Sequence, residues 1–97
     1  MKAPTDCHNM TELRAAIDAL DSQIVAMIAR RAGYIDRAAE LKPAEGLPAR
    51  IDERVEDVVA KVCARANAEG LDPALVEQIW RMMIEWSIAR EEQVLGR

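Results

Sequence analysis

The sequence predicts an all-α chain of three helices, the first of them very long. Three observations carry that expectation. Glycine and proline number only four each, phenylalanine is absent, and alanine, leucine, isoleucine, arginine and glutamate abound, a mix that favours helix over sheet. Apolar residues recur at alternating intervals of three and four in three separate stretches, the repeat of one helical face. The breaks between those stretches hold most of the prolines and glycines, which stop and start helices. With 97 residues the chain is expected to form one domain, residues 1–97, small enough that a lone protomer has a thin core and gains from a partner.

Residues 1–8 lack periodicity. Asn9, followed three residues later by Glu12, has the form of a helix start with a reciprocal cap, so helix 1 begins near residue 9 or 10. Met10, Leu13, Ile17, Leu20, Ile24 and Met27 then draw a seam that continues through Arg31, Tyr34, Ala38 and Leu41. Helix 1 is expected to stop at Lys42, because Pro43 disfavours helical geometry before it and has no N–H to donate. Pro43 to Ala49, with two prolines and Gly46, reads as a loop. In helix 2 the stripe is Ile51, Val55, Val58, Val62 and Ala66, and Gly70 is placed to end it in the left-handed conformation. Asp72 and Pro73 supply an N-cap and a first-turn residue for helix 3, which runs to about Val94. Its stripe is Val76, Trp80, Met83 or Ile84, Ser87, Glu91 and Val94.

Helix 1 is too long for a solitary bundle. Its 32 or so residues span roughly 48 Å, against a radius of gyration near 13 Å for a compact chain of this length. Helices 2 and 3, about 20 and 22 residues each, cover only part of such a seam. The rest must meet another chain, and two-fold pairing of the long helices is the commonest solution, so a homodimer is expected.

Composition excludes several functions. A net charge of −4 argues against a protein that binds nucleic acid by neutralising a row of phosphates. No run of 18 apolar residues and no secretory signal occurs, and Cys7 and Cys63 are too few for a disulfide scaffold, so no membrane partner and a cytoplasmic location are expected. His8 is the only histidine and lies near the chain start, a poor foundation for a catalytic triad. Without CxxC, HExxH, GxGxxG or a P-loop, neither metal nor cofactor is expected.

Polar residues on the apolar stripes point to chemistry. Arg31 occupies a seam position where an unpaired guanidinium is too expensive to bury, so something anionic must meet it: an acidic side chain or an anionic ligand. Lys42 lies eleven residues on, close to three full turns, and projects from nearly the same face; its bland role is a solvated lysine at a helix C-terminus. Arg14 stands 17 residues before Arg31, about 25 Å along the helix and rotated by roughly 100°. One helix cannot aim both at a small ligand, whereas two antiparallel copies can. Arg54 sits at the edge of the helix 2 stripe, with a surface ion pair to Glu53, Glu56 or Asp57 as its plain alternative. Ser87 and Glu91, four apart, should point inward from helix 3. The plain role of Glu91 is a bridge to Arg31 or Lys42. Together these residues describe a pocket of several cations and one titratable acid without a nucleophile, suited to a small polyanion.

The run LRAAIDALDSQIVAMIARRAGYIDRAAELKP, with DERVEDVV, GLDPALVEQIW and MIEWSIAREE, resembles the all-helical, AroQ-class chorismate mutases and their relatives the isochorismate pyruvate lyases. The resemblance covers essentially the whole chain, and the opening MKAPTDC is similar to the lyase-like branch. Its specific part is Arg14, Arg31, Lys42, Arg54 and Glu91. It implies an intertwined homodimer with two sites, each completed by the Arg14 of the other chain. Arg14 and Arg31 would hold the two carboxylates of a small dicarboxylate substrate, chorismate or isochorismate. Lys42 and Glu91 would flank the ether oxygen of the breaking bond, and Arg54 and Ser87 would line the remaining wall. The implied reaction rearranges chorismate to prephenate through a chair-like transition state, by shape and electrostatics and without a covalent intermediate.

Two places depart from the family pattern. Many mutases carry a glutamate just after the helix 2 arginine and an aspartate three residues before it, where this chain has Val55 and Ile51. Many family members also carry glutamine where Glu91 stands. A carboxylate there would repel the ether oxygen, whereas a carboxylic acid donates to it, so Glu91 is expected to work protonated. The first expectation is a chorismate mutase serving aromatic amino-acid synthesis. An isochorismate pyruvate lyase making salicylate stands second, and a non-catalytic helical dimerisation module third.

Overall fold

A computed structural model describes residues 2–96. The described residues form a single 3-10 turn, Pro4–Asp6, and three helices, α1 (Met10–Glu45), α2 (Asp52–Ala68) and α3 (Pro73–Leu95), with no strand among them. The all-α expectation holds. The residues group into two compact units, one running up to Gly33 and one from Tyr34 onward.

The first unit holds the 3-10 turn and the N-terminal stretch of α1. Asn9 Oδ1 accepts from the Glu12 N–H at 2.8 Å. The Glu12 carboxylate reaches back one residue further than a strict capping box, to the His8 N–H at 3.2 Å, and also takes Lys2 Nζ at 3.1 Å. No residue of this stretch is buried. Met10, Ile17, Leu20, Ile24 and Met27 all stand exposed and Leu13 is half-buried, so most of the seam expected from the sequence lacks cover among the described residues.

The second unit holds the end of α1 with α2 and α3. α1 does not stop at Lys42 as expected, but runs to Glu45 with Pro43 inside its last turn. A proline there forfeits one hydrogen bond where the ladder is about to end anyway, so its cost is small. Gly46, at φ 69°, then closes the helix: its N–H donates to Pro43 O at 3.1 Å and the Leu47 N–H to Lys42 O at 3.0 Å. This is a Schellman end, and Gly46 is its left-handed residue rather than a loop glycine. Gly70, at φ 71°, closes α2 in the same way, with Leu71 N–H on Ala66 O at 2.8 Å. Asp72 caps α3 through the Ala74 N–H at 2.9 Å, with Pro73 in the first turn.

α2 packs on α3 around Ala49, Val59, Ile84 and Ile88, flanked by Val55, Val58, Cys63, Trp80 and Leu95. Ile84 rather than Met83 is the buried choice in α3, and Leu95 rather than the exposed Val94 ends the stripe. In this part of α1 Ala39 is buried and Ile35, Asp36, Ala38 and Lys42 are half-buried, while Tyr34 and Leu41 are exposed. The reason is drift. A three-four alternation averages 3.5 residues, which slips about 20° per heptad on a straight helix, so four heptads displace the face by nearly one residue. Arg81 ties α2 to α3 at the surface, its guanidinium spanning both oxygens of Glu56 and reaching Glu77 at 2.8 Å. No helix among the described residues is long and apolar enough to cross a membrane.

Candidate functional site

Lys42 leaves the last turn of α1 with only 16% of its side chain exposed. The Schellman closure at Gly46 turns the chain back, so that Ala49, itself buried, presents its carbonyl to the ammonium: Lys42 Nζ donates to Ala49 O at 2.8 Å. On α3, Glu91 is 4% exposed and Ser87, one turn earlier on the same face, is 3% exposed. Lys42 Nζ lies 2.7 Å from Glu91 Oε1. That oxygen is buried and has no partner in hydrogen-bond geometry, so the contact is an ion pair whose angle leaves the directional acceptor unused. The Ser87 hydroxyl donates to Met83 O at 2.8 Å, the usual back-bond of a helical serine.

The structure therefore brings together Lys42, Ser87 and Glu91 of the six residues singled out by the sequence, with Lys42 and Glu91 in direct contact. Arg54 is exposed on α2 and donates to Asp57 Oδ2 at 2.7 Å. Asp57 is drawn below the usual aspartate range by the Lys61 ammonium and then by Arg54. In the first unit Arg14 is exposed and Arg31 half-buried on α1. Ile51 and Val55 are half-buried, and Val55 packs against the α2–α3 core, so an acid at either place would be partly desolvated.

Three features of the site escaped the sequence. One is the Ala49 carbonyl, since backbone acceptors leave no signal in residue type. The others are braces beside the Lys42–Glu91 pair. Asp36 of α1 takes both Nε and Nη2 of Arg90, which also lies 5.2 Å from the Trp86 ring centre. This fork holds the Asp36 carboxyl below its ordinary range. Arg50, just after Ala49, pairs with Glu85 on α3 and depresses that carboxyl likewise. Only the charge signs hinted at either brace. Among the described residues no group of three or more His, Cys, Asp or Glu is placed to hold a metal.

Such a wall offers one oriented cation, one buried acid and no poised nucleophile. It can bind an anion and stabilise charge that grows on an oxygen, but has no group set to form a covalent bond. The profile of the family described as chorismate mutase type II matches residues 13–92. The chain belongs to this family. Among proteins of named activity, the chain is 36% identical over 92 residues to an isochorismate pyruvate lyase of Pseudomonas aeruginosa, covering 94% of this chain and 89% of that one. It is 30% identical over 89 residues to a chorismate mutase of Methanocaldococcus jannaschii, covering 89% and 87%. It is also 30% identical over 82 residues to the T-protein of Enterobacter agglomerans, covering 84% of this chain but only 22% of that much longer one. The chorismate mutase type II match spans all of α2 and includes Lys42 and Glu91.

Proposed function

We propose that the protein is a chorismate mutase that rearranges chorismate to prephenate, working as a homodimer in which the partner subunit supplies Arg14 to each site. The observation that carries this reading is the half-buried Lys42 ammonium, held by a hydrogen bond to Ala49 O and an ion pair to Glu91, with N–H capacity left for a ligand. Arg31 and the partner's Arg14 hold the substrate carboxylates, Arg54 and Ser87 line the wall, and Lys42 and Glu91 address the ether oxygen. Fixed positive charge favours the transition state over the ground state because negative charge grows on that oxygen as the bond breaks. The exposed apolar seam of α1 supports the dimer, since a stripe of large apolar side chains without cover marks an interaction surface.

A second reading, isochorismate pyruvate lyase, is favoured by the 36% identity to an enzyme of that name and by apolar Ile51 and Val55. Purified protein offered each substrate separately, with prephenate and salicylate followed, decides between them. Prephenate from chorismate at the faster kcat/KM supports the mutase; salicylate as the dominant product reverses the order; absence of both products refutes the enzyme reading. Mixing Arg14→Ala with Arg31→Ala subunits tests the shared site. Random reassociation should restore about a quarter of the sites, all of them in mixed dimers. No recovery on mixing would place Arg14 and Arg31 in the same chain's site.

A further inference from the structure

Lysine carries its charge on a flexible four-carbon stem, so its backbone alone does not fix where the ammonium sits. Acceptors do. Besides its ion pair with Glu91, Lys42 has one hydrogen-bond acceptor, a backbone carbonyl in a segment without regular secondary structure. That carbonyl belongs to the planar peptide unit joining Ala49 to Arg50. The unit is pinned on both sides: the Ala49 methyl is buried with Val59, Ile84 and Ile88, and the Arg50 guanidinium is paired with Glu85 on α3. The first contact anchors the unit in the core, and the second restrains its rotation, which decides whether the carbonyl faces Lys42.

We infer that Arg50 and Glu85 are positioning residues for the reaction, their ion pair strapping the α1–α2 connection to α3 so that Ala49 O holds the Lys42 ammonium in its working place. Neither residue touches substrate in this scheme. The inference rests on the mutase reading for its effect on turnover, while the effect on Lys42 itself is independent of any substrate. The pair is exposed, 44% on Arg50 and 58% on Glu85, so salt screens it and its influence is modest.

Two measurements test this. The chain has three lysines, Lys2, Lys42 and Lys61, which makes competitive acetylation by acetic anhydride with mass-spectrometric readout simple to assign. In the unaltered protein Lys42 should acetylate more slowly than exposed Lys61. In Glu85→Gln and in Arg50→Gln its rate relative to Lys61 should rise, and in the control Arg65→Gln, which breaks a surface pair with Glu69 at the C-terminal end of α2, it should stay put. At saturating substrate kcat should fall about two- to fivefold in either variant with KM little changed. The double exchange Arg50→Glu with Glu85→Arg should restore most of the loss. Raising salt should lower kcat of the unaltered enzyme toward that of Glu85→Gln and leave Glu85→Gln flat. Lys42 labelling unmoved in both single variants, or labelling that moves while kcat does not, overturns the inference. If the unaltered chain turns over neither substrate, yet Glu85→Gln still exposes Lys42, the assigned reaction fails and the strap stands.

Discussion

The Lys42–Glu91 pair can be tested for what it contributes to stability by a three-variant cycle: Lys42→Met, Glu91→Leu, and both together. Glu91 is 5% exposed at its side chain and Lys42 16%. Removing the ammonium leaves a carboxylate in the dry interior with its Oε1 facing nothing, and breaking a buried pair from one side costs about 3–5 kcal/mol. Removing the carboxylate costs less, about 1–3 kcal/mol, because the ammonium keeps Ala49 O and some access to water. Removing both leaves no orphan charge. The one group then left wanting is Ala49 O, at about 1 kcal/mol, which better apolar packing offsets. The double variant should therefore lie within about 1–2 kcal/mol of the unaltered protein, far from the sum of the singles. Urea unfolding followed by circular dichroism, at one fixed protein concentration because dimerisation feeds into apparent stability, reads these differences. With a slope near 1 kcal/mol per molar, Lys42→Met should lower the midpoint by about 3–5 M. Additive losses in the double variant would refute the argument, because they would mean the two side chains act on separate surroundings. All three variants should be inactive, so pair stability and turnover come apart.

Arg31→Met should cut turnover by about 10²- to 10³-fold and leave a helical dimer by sedimentation; unchanged turnover would take Arg31 out of the site, whereas an unaltered chain without turnover, in which Arg31→Met is neutral or stabilising, would favour the non-catalytic dimerisation module. Ile84→Ala, in the α2–α3 core at 6% exposure, should lose about 2–5 kcal/mol in urea unfolding. Asp36, Glu56, Asp57 and Glu85 are all drawn below their ordinary ranges by Arg90, Arg81, Lys61 and Arg50 respectively. A carboxyl depressed in the folded state lends stability above its unfolded value and loses it as pH falls through the folded one. Thermal stability should accordingly decline on acidification below about pH 4.5, and less steeply in high salt, since all four pairs are at the surface. A profile steeper in high salt would contradict that assignment.

Much of the fold is readable from residue order because its determinants are local. Asn9 with Glu12, Asp72 with Pro73, and Gly70 act through hydrogen bonds and backbone angles within one turn, so their types and spacing suffice. Pro43 misled for the same reason. The general penalty on proline is a local rule, but its size depends on how much helix remains to be built, and here Gly46 closes the ladder one turn on. The seam of α1 is legible, yet the residue that carries it near Ala39 is not, because a small angular drift accumulates over many turns.

The candidate site divides along the same line. That Ser87 and Glu91 face inward follows from their places on the apolar stripe of α3, since helical periodicity decides direction, whereas Lys42 is covered through the drift that carries the α1 face past Leu41. Which partner each one finds does not follow. Glu91 had two cations open to it and meets Lys42; Arg54 had three acids and meets Asp57. The Ala49 carbonyl and the Arg50–Glu85 and Asp36–Arg90 braces join residues 7, 35 and 54 positions apart, and are products of packing alone. Periodicity and caps, being short-range, determine the helices and the faces they turn; ion pairing falls off with distance and depends on angle, so only the assembled helices decide which charges meet.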